Sequence, residues 1–255
     1  MRGSPGRRGE KIDRRAPQVL GGELVDKQTS GRLDLADMIV DPENTLTARV
    51  FVNWVWTHHF GQSLIPTPGD LGLRGEPPTH PELLDDLARR FIDEGKWSPR
   101  WLHREIILSQ AWQQSSATRS ETLERDPENT YYSRSRRRRL SWESWRDSLL
   151  VAAGTLNFDS RGGPGMDPLD PTNGTRRTLY SWLDRQDIPG ILRAFDIANP
   201  DTAVHVRPVT LVPQQGLVML NSPIVIDAAK KVAERLPDES STQARIKQLW
   251  RIVFA

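Results

Sequence analysis

The sequence predicts a mainly α-helical fold: a single helical domain with long Pro/Gly-rich loops and at most a minor strand or hairpin. Several segments carry apolar residues at helical spacing and begin or end at recognisable cap residues. Only residues 177–183, RTLYSWL, alternate as a strand or extended segment would. The 255 residues include 19 prolines and 18 glycines, which indicates long loops between the helices.

The chain divides into two predicted regions. Residues 1–31 are rich in arginine, glycine and proline, and they are expected to form a basic extended arm or linker. Residues 32–255 are expected to form the helical domain, truncated at its C-terminal end. No signal peptide is expected, because no apolar segment follows the N-terminal charges. No apolar run reaches the length that crosses a bilayer, so no membrane span is predicted.

The first two helices are predicted at residues 32–41 and up to Phe60. In the first, apolar residues form one stripe, and Asp41-Pro42 ends it. The second begins with Thr45 or Thr47 as N-cap and ends at Gly61. It is broadly apolar and is expected to be central.

A rigid Pro/Gly-rich connection over residues 62–80 separates this helix from the next. Thr79 to Glu82 has the pattern of a capping box, and the helix that it opens is expected to end at Gly95. Ser98, followed by proline, predicts the start of another helix.

The second half has clear but shorter signals. Ser141 is the expected N-cap of a helix that ends at Gly154. Residues 113–140 are polar and end in an arginine cluster, and residues 155–177 are expected to form a long turn-rich insertion. Further helical segments are predicted at residues 189–195, 214–220, 223–236 and 242–255.

Composition excludes several functions. Without any cysteine, the chain forms no disulfide, no Cys-ligated zinc site, no Cys nucleophile and no CxxCH haem attachment. The 35 basic and 33 acidic residues give a net charge of +2, which is weak support for nucleic-acid binding. The sequence also lacks GxSxG, phosphate-loop, GxGxxG and kinase motifs.

The histidines are candidates for chemistry, but their spacing fits no metal motif. His58 and His59 are adjacent on a helix, so their side chains point about 100° apart. His80 and Glu82 lie beyond the loop, and HExxH is absent. We therefore predict no metal site, and expect one of the adjacent histidines on the core side and the other at the surface.

Three further groups of polar residues stand out. Asn53 lies within the apolar helix and needs partners if it is buried. Arg74 and Glu76, on the rigid loop, are candidates either for gripping a ligand or for a salt-bridge clamp to the helices. The basic cluster Arg134 to Arg139 resembles a phosphate-binding patch, although nearby carboxylates are alternative partners for some of its arginines.

Several blocks, in the same order, resemble the C-terminal domain of unknown function of planctomycete-type cytochrome c proteins. These blocks are LTARVFVNWVWTHHFGQSLIPTPGDLGLRGEPPTHPELLDDLA, WLHREIILSQAWQQSS, RRRRLSWESWRDSLLVAAGTL, RRTLYSWL and VTLVPQQGLVMLNSPIV. The resemblance implies an exported, extracytoplasmic or periplasmic setting. It also implies that haem, where relatives have it, belongs to a separate domain, so no cofactor is expected in this chain.

The resemblance also selects motif positions, which become candidate ligand-binding residues. They are Asn53, His58, His59, Arg74, Glu76, His80, Arg146, Asp147 and Asn221. No catalytic residue is assigned, because the family has no established activity.

Three functions remain open from the sequence. The leading hypothesis is a non-catalytic binding or assembly module, whose partner is another protein or other domains of a longer chain. The alternative is a hydrolase-like enzyme, acting on polysaccharide-related substrates, with a His/Arg/Glu cleft formed by His58, His59, Arg74, Glu76 and His80. The third is nucleic-acid binding through Arg134 to Arg139, and nucleic acid is the less expected partner.

Overall fold

The fold is known from a computed structural model that describes residues 9, 13–18, 22, 25, 28–237 and 241–254. Across these residues the regular structure is helical, and pairing of extended chain is limited to isolated bridges. The prediction of a mainly α-helical fold is therefore confirmed. None of the described helices has the length and apolar content that crossing a bilayer requires.

Ten α-helices are formed within the described residues. They are α1 (Arg32–Val40), α2 (Thr45–Phe60), α3 (Pro81–Asp93), α4 (Pro99–Leu108), α5 (Ser120–Arg125), α6 (Trp142–Ala153), α7 (Gly190–Ala194), α8 (Pro213–Asn221), α9 (Pro223–Glu234) and α10 (Thr242–Phe254). The helices divide between two compact units, Met1–Arg137 and Arg138–Ala255. The sequence did not predict this division. Most of the predicted arm at residues 1–31 lies outside the described residues, and the domain boundaries stay predictions.

The first unit is organised around α2, against which α3 and α4 both pack. Burial follows the apolar spacing: Val52 is completely buried, and Phe51 stacks on Phe91 of α3 with ring centroids 5.3 Å apart. Arg90 of α3 donates from Nη2 to Oε2 of Glu105 on α4 at 2.6 Å. The central position predicted for α2 is thus confirmed.

Cap residues show which local signals decide the helix ends. Gly61 ends α2 in the left-handed conformation, and the Ser98 side chain accepts a hydrogen bond from the Trp101 N–H, as predicted. The predicted N-cap of α2 at Thr45 or Thr47 is wrong. Asn44 takes that place, because its Oδ1 accepts from the Leu46 N–H at 3.2 Å.

The predicted capping box at the start of α3 is also wrong. His80 is the N-cap and makes no capping hydrogen bond with its side chain. The hydroxyl of Thr79 donates instead to the main-chain carbonyl of Leu64 at 3.2 Å, which fixes the end of the loop to its beginning. The helix ends at Asp93, just before the predicted stop at Gly95.

Two helices of the first unit differ from expectation. The helix α5 lies within residues 113–140, a polar region for which no helix was predicted. The helix α1 forms where predicted, but none of its residues is buried. Its apolar stripe, which includes Leu35 and Ile39, is exposed to solvent.

The second unit is built on α6, which packs against α9 and α10. Ser141 caps α6 and Gly154 ends it, as predicted. A separate aromatic core joins Trp142 of α6 to Leu192 and Phe195. Residues 177–183, predicted as a strand or extended segment, form no strand, because Thr178–Tyr180 make a 3₁₀ turn. Ser181 is extended and pairs with Met166 in an isolated bridge.

Candidate functional site

The candidate residues from the sequence fall into both units. Asn53, His58, His59, Arg74, Glu76 and His80 lie in the first unit, and Arg146, Asp147 and Asn221 lie in the second.

Asn53 holds the chain that follows α2. Its side chain is completely buried, and its Oδ1 accepts from the main-chain N–H of Ile65 at 3.0 Å. This bond ties the start of the Pro/Gly-rich loop to the middle of the helix. Since the side chain is enclosed within the core, its geometry is that of a structural anchor.

The two adjacent histidines have different surroundings. His58 is exposed, whereas His59 is half-buried and its Nε2 lies 2.7 Å from Nδ1 of His103 on α4. The indole of Trp112 meets the His59 ring edge to face, with centroids 5.1 Å apart. No sequence pattern indicated the pairing with His103.

His80 belongs to a different contact group. Its Nδ1 lies 2.9 Å from the hydroxyl of Thr79, and its ring packs against Tyr131 and Tyr132 with centroids 6.0 and 5.6 Å away. Burial raises the pKa of Tyr132 above its ordinary value. His80 is thus fixed at the end of the loop by neutral aromatic neighbours.

Arg74 and Glu76 form the exposed tip of the loop, and within the described residues neither makes an ion pair. The salt-bridge clamp considered from the sequence is therefore not formed. Hydrogen bonds to Thr67 close the loop instead, since its Oγ1 accepts from the Glu76 N–H at 2.9 Å and donates to the Asp70 carbonyl at 3.0 Å.

Within the described part of the chain, contacts do not bring the candidate histidines, Arg74 and Glu76 together into one cleft. His59 pairs with His103, His80 with two tyrosines, and the tip at Arg74 is solvated. The hydrolase hypothesis required these groups to converge. The geometry gives it no support, and it stays a prediction.

Arg146 and Asp147 organise the long loop that follows α6. Arg146 is completely buried, and its guanidinium donates from Nε to the Pro168 carbonyl at 2.7 Å. Its remaining acceptors are the Gly174 carbonyl, the Arg176 carbonyl and the Thr178 hydroxyl. Burial lowers the pKa of Arg146, while the negative charges of Asp147 and Asp167 oppose this effect.

Asn221 lies at the end of α8 and is exposed. Its Nδ2 donates to the carbonyl of Leu217 one turn earlier at 3.0 Å. Leu217 and Leu220 are also exposed on this helix. The structure does not bring Asn221 into contact with Arg146 or Asp147.

A cleft in the first unit was missed from the sequence. It has a volume of about 410 Å³ and is polar and basic. It is lined by Ser116, Thr118, Pro127, Glu128, Asn129, Arg134, Ser135, Arg136 and Arg137. The N–H of Ser135 donates to the carbonyl of Ser115 at 3.0 Å and so connects two of its walls.

Two buried polar residues shape this cleft. The carboxylate of Asp126 accepts from the N–H groups of Thr130 and Tyr131 at 2.7 and 2.9 Å. Asn129 adopts a left-handed conformation with φ 56°, and its Nδ2 donates to the Arg134 carbonyl at 2.8 Å. The Asp-Pro-Glu-Asn sequence is a turn signal that would have found this loop.

A comparison with protein-family models identifies the family of this chain. A family described as PSD1, protein of unknown function (DUF1553), matches residues 31–255. The chain belongs to the DUF1553 family. No curated protein and no solved structure matches it.

The arginines of this DUF1553 chain do not form one uniform phosphate-binding patch. Arg134 donates to the carbonyls of Asp126 and Pro127 at 3.0 and 2.8 Å, and Arg136 donates to the carbonyl of Glu128. These acceptors are neutral, so the positive charges at the cleft are retained. Arg137 is exposed and makes no ion pair within the described part of the chain.

Arg139 has a different role in the second unit of the DUF1553 chain. Its Nη2 donates to Oδ2 of Asp196 at 2.8 Å, and its Nη1 donates to the carbonyl of Thr210 and to Gln215. The carboxylate neutralises its charge. The cluster predicted from the sequence therefore separates into cleft arginines and a structural arginine.

Proposed function

We propose that this DUF1553 chain is a non-catalytic binding module, and that the basic cleft binds an anionic group of its ligand. One observation carries the proposal. Three arginines, Arg134, Arg136 and Arg137, line one cleft together with the hydroxyl-bearing residues Ser116, Thr118 and Ser135, and the side chains of Asp126 and Asn129 hold the loop in place through hydrogen bonds.

The charges favour an oxyanion such as a carboxylate, a phosphate or a sulfate. Arg134, Arg136 and Arg137 supply three positive charges, against one negative charge from Glu128. Guanidinium groups form charge-assisted, bidentate hydrogen bonds to planar and tetrahedral oxyanions. Hydroxyl groups add donors that adapt to the orientation of the bound group.

The scaffold limits the cost of binding. Asp126 is 6% exposed and Asn129 is 2% exposed, and both are hydrogen-bonded to the loop that carries the arginines. Arg134 and Arg136 are already positioned by main-chain carbonyls. A ligand therefore meets two ordered guanidinium groups, so less side-chain entropy is lost on binding.

The direct test is a titration of the purified chain with inorganic sulfate and inorganic phosphate at constant ionic strength, followed by NMR of the arginine Nε–Hε groups. Saturable shifts at Arg136 and Arg137 are expected. Arg137→Gln should weaken binding by at least about fivefold, since removing one charge-assisted bond costs roughly 1 kcal/mol or more.

Arg74→Gln is the matched control, because it removes the same charge from an exposed position of the same unit. It should leave the affinity unchanged. Linear shifts without saturation, or equal losses in the two variants, would show that the cleft is not an anion site. Nucleic acid would be indicated by tight binding of an oligonucleotide with a steep salt dependence.

The resemblance found in the sequence also suggests a biological setting for the module. The sequence blocks resemble the C-terminal domain of exported planctomycete cytochrome c proteins, and we propose that the module works in such an extracytoplasmic, cytochrome-associated assembly. Affinity purification of the endogenous protein from fractionated source cells tests this. Haem c absorbance in an extracytoplasmic fraction is expected, and recovery from the cytoplasm without haem would contradict it.

A further inference from the structure

Two histidines from different helices meet at the surface of the first unit. His59 lies on α2 and His103 on α4, and they are 44 residues apart in the sequence. Their facing nitrogens, Nε2 of His59 and Nδ1 of His103, are 2.7 Å apart. One nitrogen donates and the other accepts, so at least one neutral imidazole lone pair points into this contact.

The chemistry of the contact suits a metal ion. Neutral imidazole is the side chain that most often binds zinc, nickel and copper in proteins. In the unliganded chain, the N–H of one ring donates to the lone pair of the other. A divalent cation of this class is able to replace that proton and use both lone pairs.

We propose that His59 and His103 form a two-histidine site for a late first-row divalent cation, with Zn²⁺, Ni²⁺ and Cu²⁺ as the candidate ions. The site is independent of the anion cleft. No metal site was predicted from the sequence, because the spacing of His58, His59, His80 and Glu82 fits no metal motif.

The geometry needs only a local adjustment. Two metal–nitrogen bonds of about 2.0–2.1 Å at a tetrahedral angle place the nitrogens roughly 3.3 Å apart. The separation of 2.7 Å therefore has to open by about 0.6 Å, and the exposed side chain of His103 is the partner that would rotate. His103 is exposed, so water has access to the remaining coordination positions.

The surroundings favour a modest affinity with a defined orientation. Packing of α2 and α4 in one core fixes the two backbones. The edge-to-face contact with Trp112 restricts the His59 ring. Within the described residues, no group of three histidine or carboxylate side chains could hold a metal ion. Water therefore completes the coordination.

Calorimetric titration of the untagged chain with Zn²⁺ near pH 7.5 tests the proposal. One ion per chain is expected. His59→Gln and His103→Gln should each weaken binding at least about tenfold, the loss that even an outer partner of a ligand commonly causes. The matched control is His58→Gln, which removes the exposed neighbour on α2 and should bind Zn²⁺ normally.

Several outcomes would overturn the site. They are absence of Zn²⁺ binding by the unaltered chain, normal affinity after either His59→Gln or His103→Gln, or an equal loss in His58→Gln. Circular dichroism should confirm that each variant is folded. If His59→Gln does not fold, the His103→Gln variant decides the test, because His103 is exposed. The imidazole NMR signals of His103 should also shift when Zn²⁺ is added to the unaltered chain.

Discussion

Arg146 and Asp147 are neighbours in the sequence and share one hydroxyl group. The Oγ1 of Thr178 accepts from Nη1 of Arg146 at 3.0 Å and donates to Oδ1 of Asp147 at 2.6 Å. Asp147 also accepts from the Thr178 N–H at 2.7 Å. This arrangement fixes the start of the 3₁₀ turn to α6.

Replacing Arg146 with methionine should strongly destabilise the second unit. The change leaves the carbonyls of Pro168, Gly174 and Arg176 without their buried donor. A loss of about 3–5 kcal/mol in the free energy of unfolding is expected from the removal of such a buried charged partner. Urea unfolding measures it, and faster amide exchange at Trp182, whose N–H donates to Met166, should show where the structure loosens.

Arg146→Lys is the matched control, because it keeps the charge but not the planar set of donors. It should lie between the methionine variant and the unaltered chain. If Arg146→Met unfolds within about 0.5 kcal/mol of the unaltered chain, the buried guanidinium does not organise the loop.

Asn129 should show the separate effects of backbone conformation and side-chain bonding. Its φ of 56° is unfavourable for alanine but accessible to glycine. Both variants lose the bonds between Asn129 and Arg134, but only alanine is also strained by the left-handed backbone conformation. Asn129→Ala should therefore destabilise the first unit by about 2–3 kcal/mol, and Asn129→Gly by about 1 kcal/mol less. Urea unfolding of the full chain, with amide exchange of Thr130 and Tyr131, provides the comparison.

Equal losses in these two variants would mean that the left-handed conformation carries no strain. Both variants should also weaken sulfate binding, since Asn129 lines the cleft and positions the chain at Arg134. Unchanged sulfate affinity in both variants would show that the conformation of this loop does not matter for anion binding.

Asp196 should make the second unit sensitive to acid. Burial raises the pKa of Asp196, but hydrogen bonds from Thr210 and the charge of Arg139 outweigh burial and hold this pKa below its ordinary value. A group whose pKa is lower in the folded state stabilises the fold above its unfolded pKa. This stability is lost as the pH falls through the folded pKa.

The stability of the unaltered chain should therefore decrease below about pH 4, the region where a free aspartate titrates. Asp196→Asn should be less stable at neutral pH and should lose less on acidification. Thermal unfolding at a series of pH values measures both effects. If stability changes with pH in the same way in both chains, Asp196 does not contribute to the pH dependence of stability.

Gly75 should tolerate no side chain. A Cβ at this position would lie 2.0 Å from the main-chain oxygen of Asp70, so the backbone itself would have to shift. Gly75→Ala should cost about 1–3 kcal/mol, the usual range for overpacking. Gly72→Ala is the control, because its Cβ would meet only the Asp70 carboxylate at 3.1 Å. Thermal unfolding should show a clearly smaller loss for Gly72→Ala.

Much of the helical fold was predictable because its signals are local. Ser98, Ser141 and Gly154 act within one turn of their helices, and each performs its expected role. The errors at Asn44 and Thr79 have different causes. Asn44, Thr45 and Thr47 all have capping side chains, and a local bond from the Leu46 N–H selects Asn44. At Thr79, the distant carbonyl of Leu64 takes the hydroxyl that the capping box required.

The sites were less predictable, because they depend on distant pairs. His59 meets His103 only through the packing of two helices. Arg146 is bonded mainly to main-chain carbonyls, which every sequence provides, so no pattern of residue types marks its acceptors. The basic cleft depends on a turn with a left-handed asparagine, Asn129, which hydrophobic periodicity does not report.

The positions of the Arg146 acceptors also determine when this part of the chain is able to fold during synthesis on the ribosome. They lie 22 to 32 residues after it in the chain, so newly made α6 has no means of enclosing its guanidinium. We expect this part of the second unit to remain open until the chain has been extended past Thr178. Nascent chains stalled before that residue should be cleaved readily by protease, and chains released well beyond it should resist.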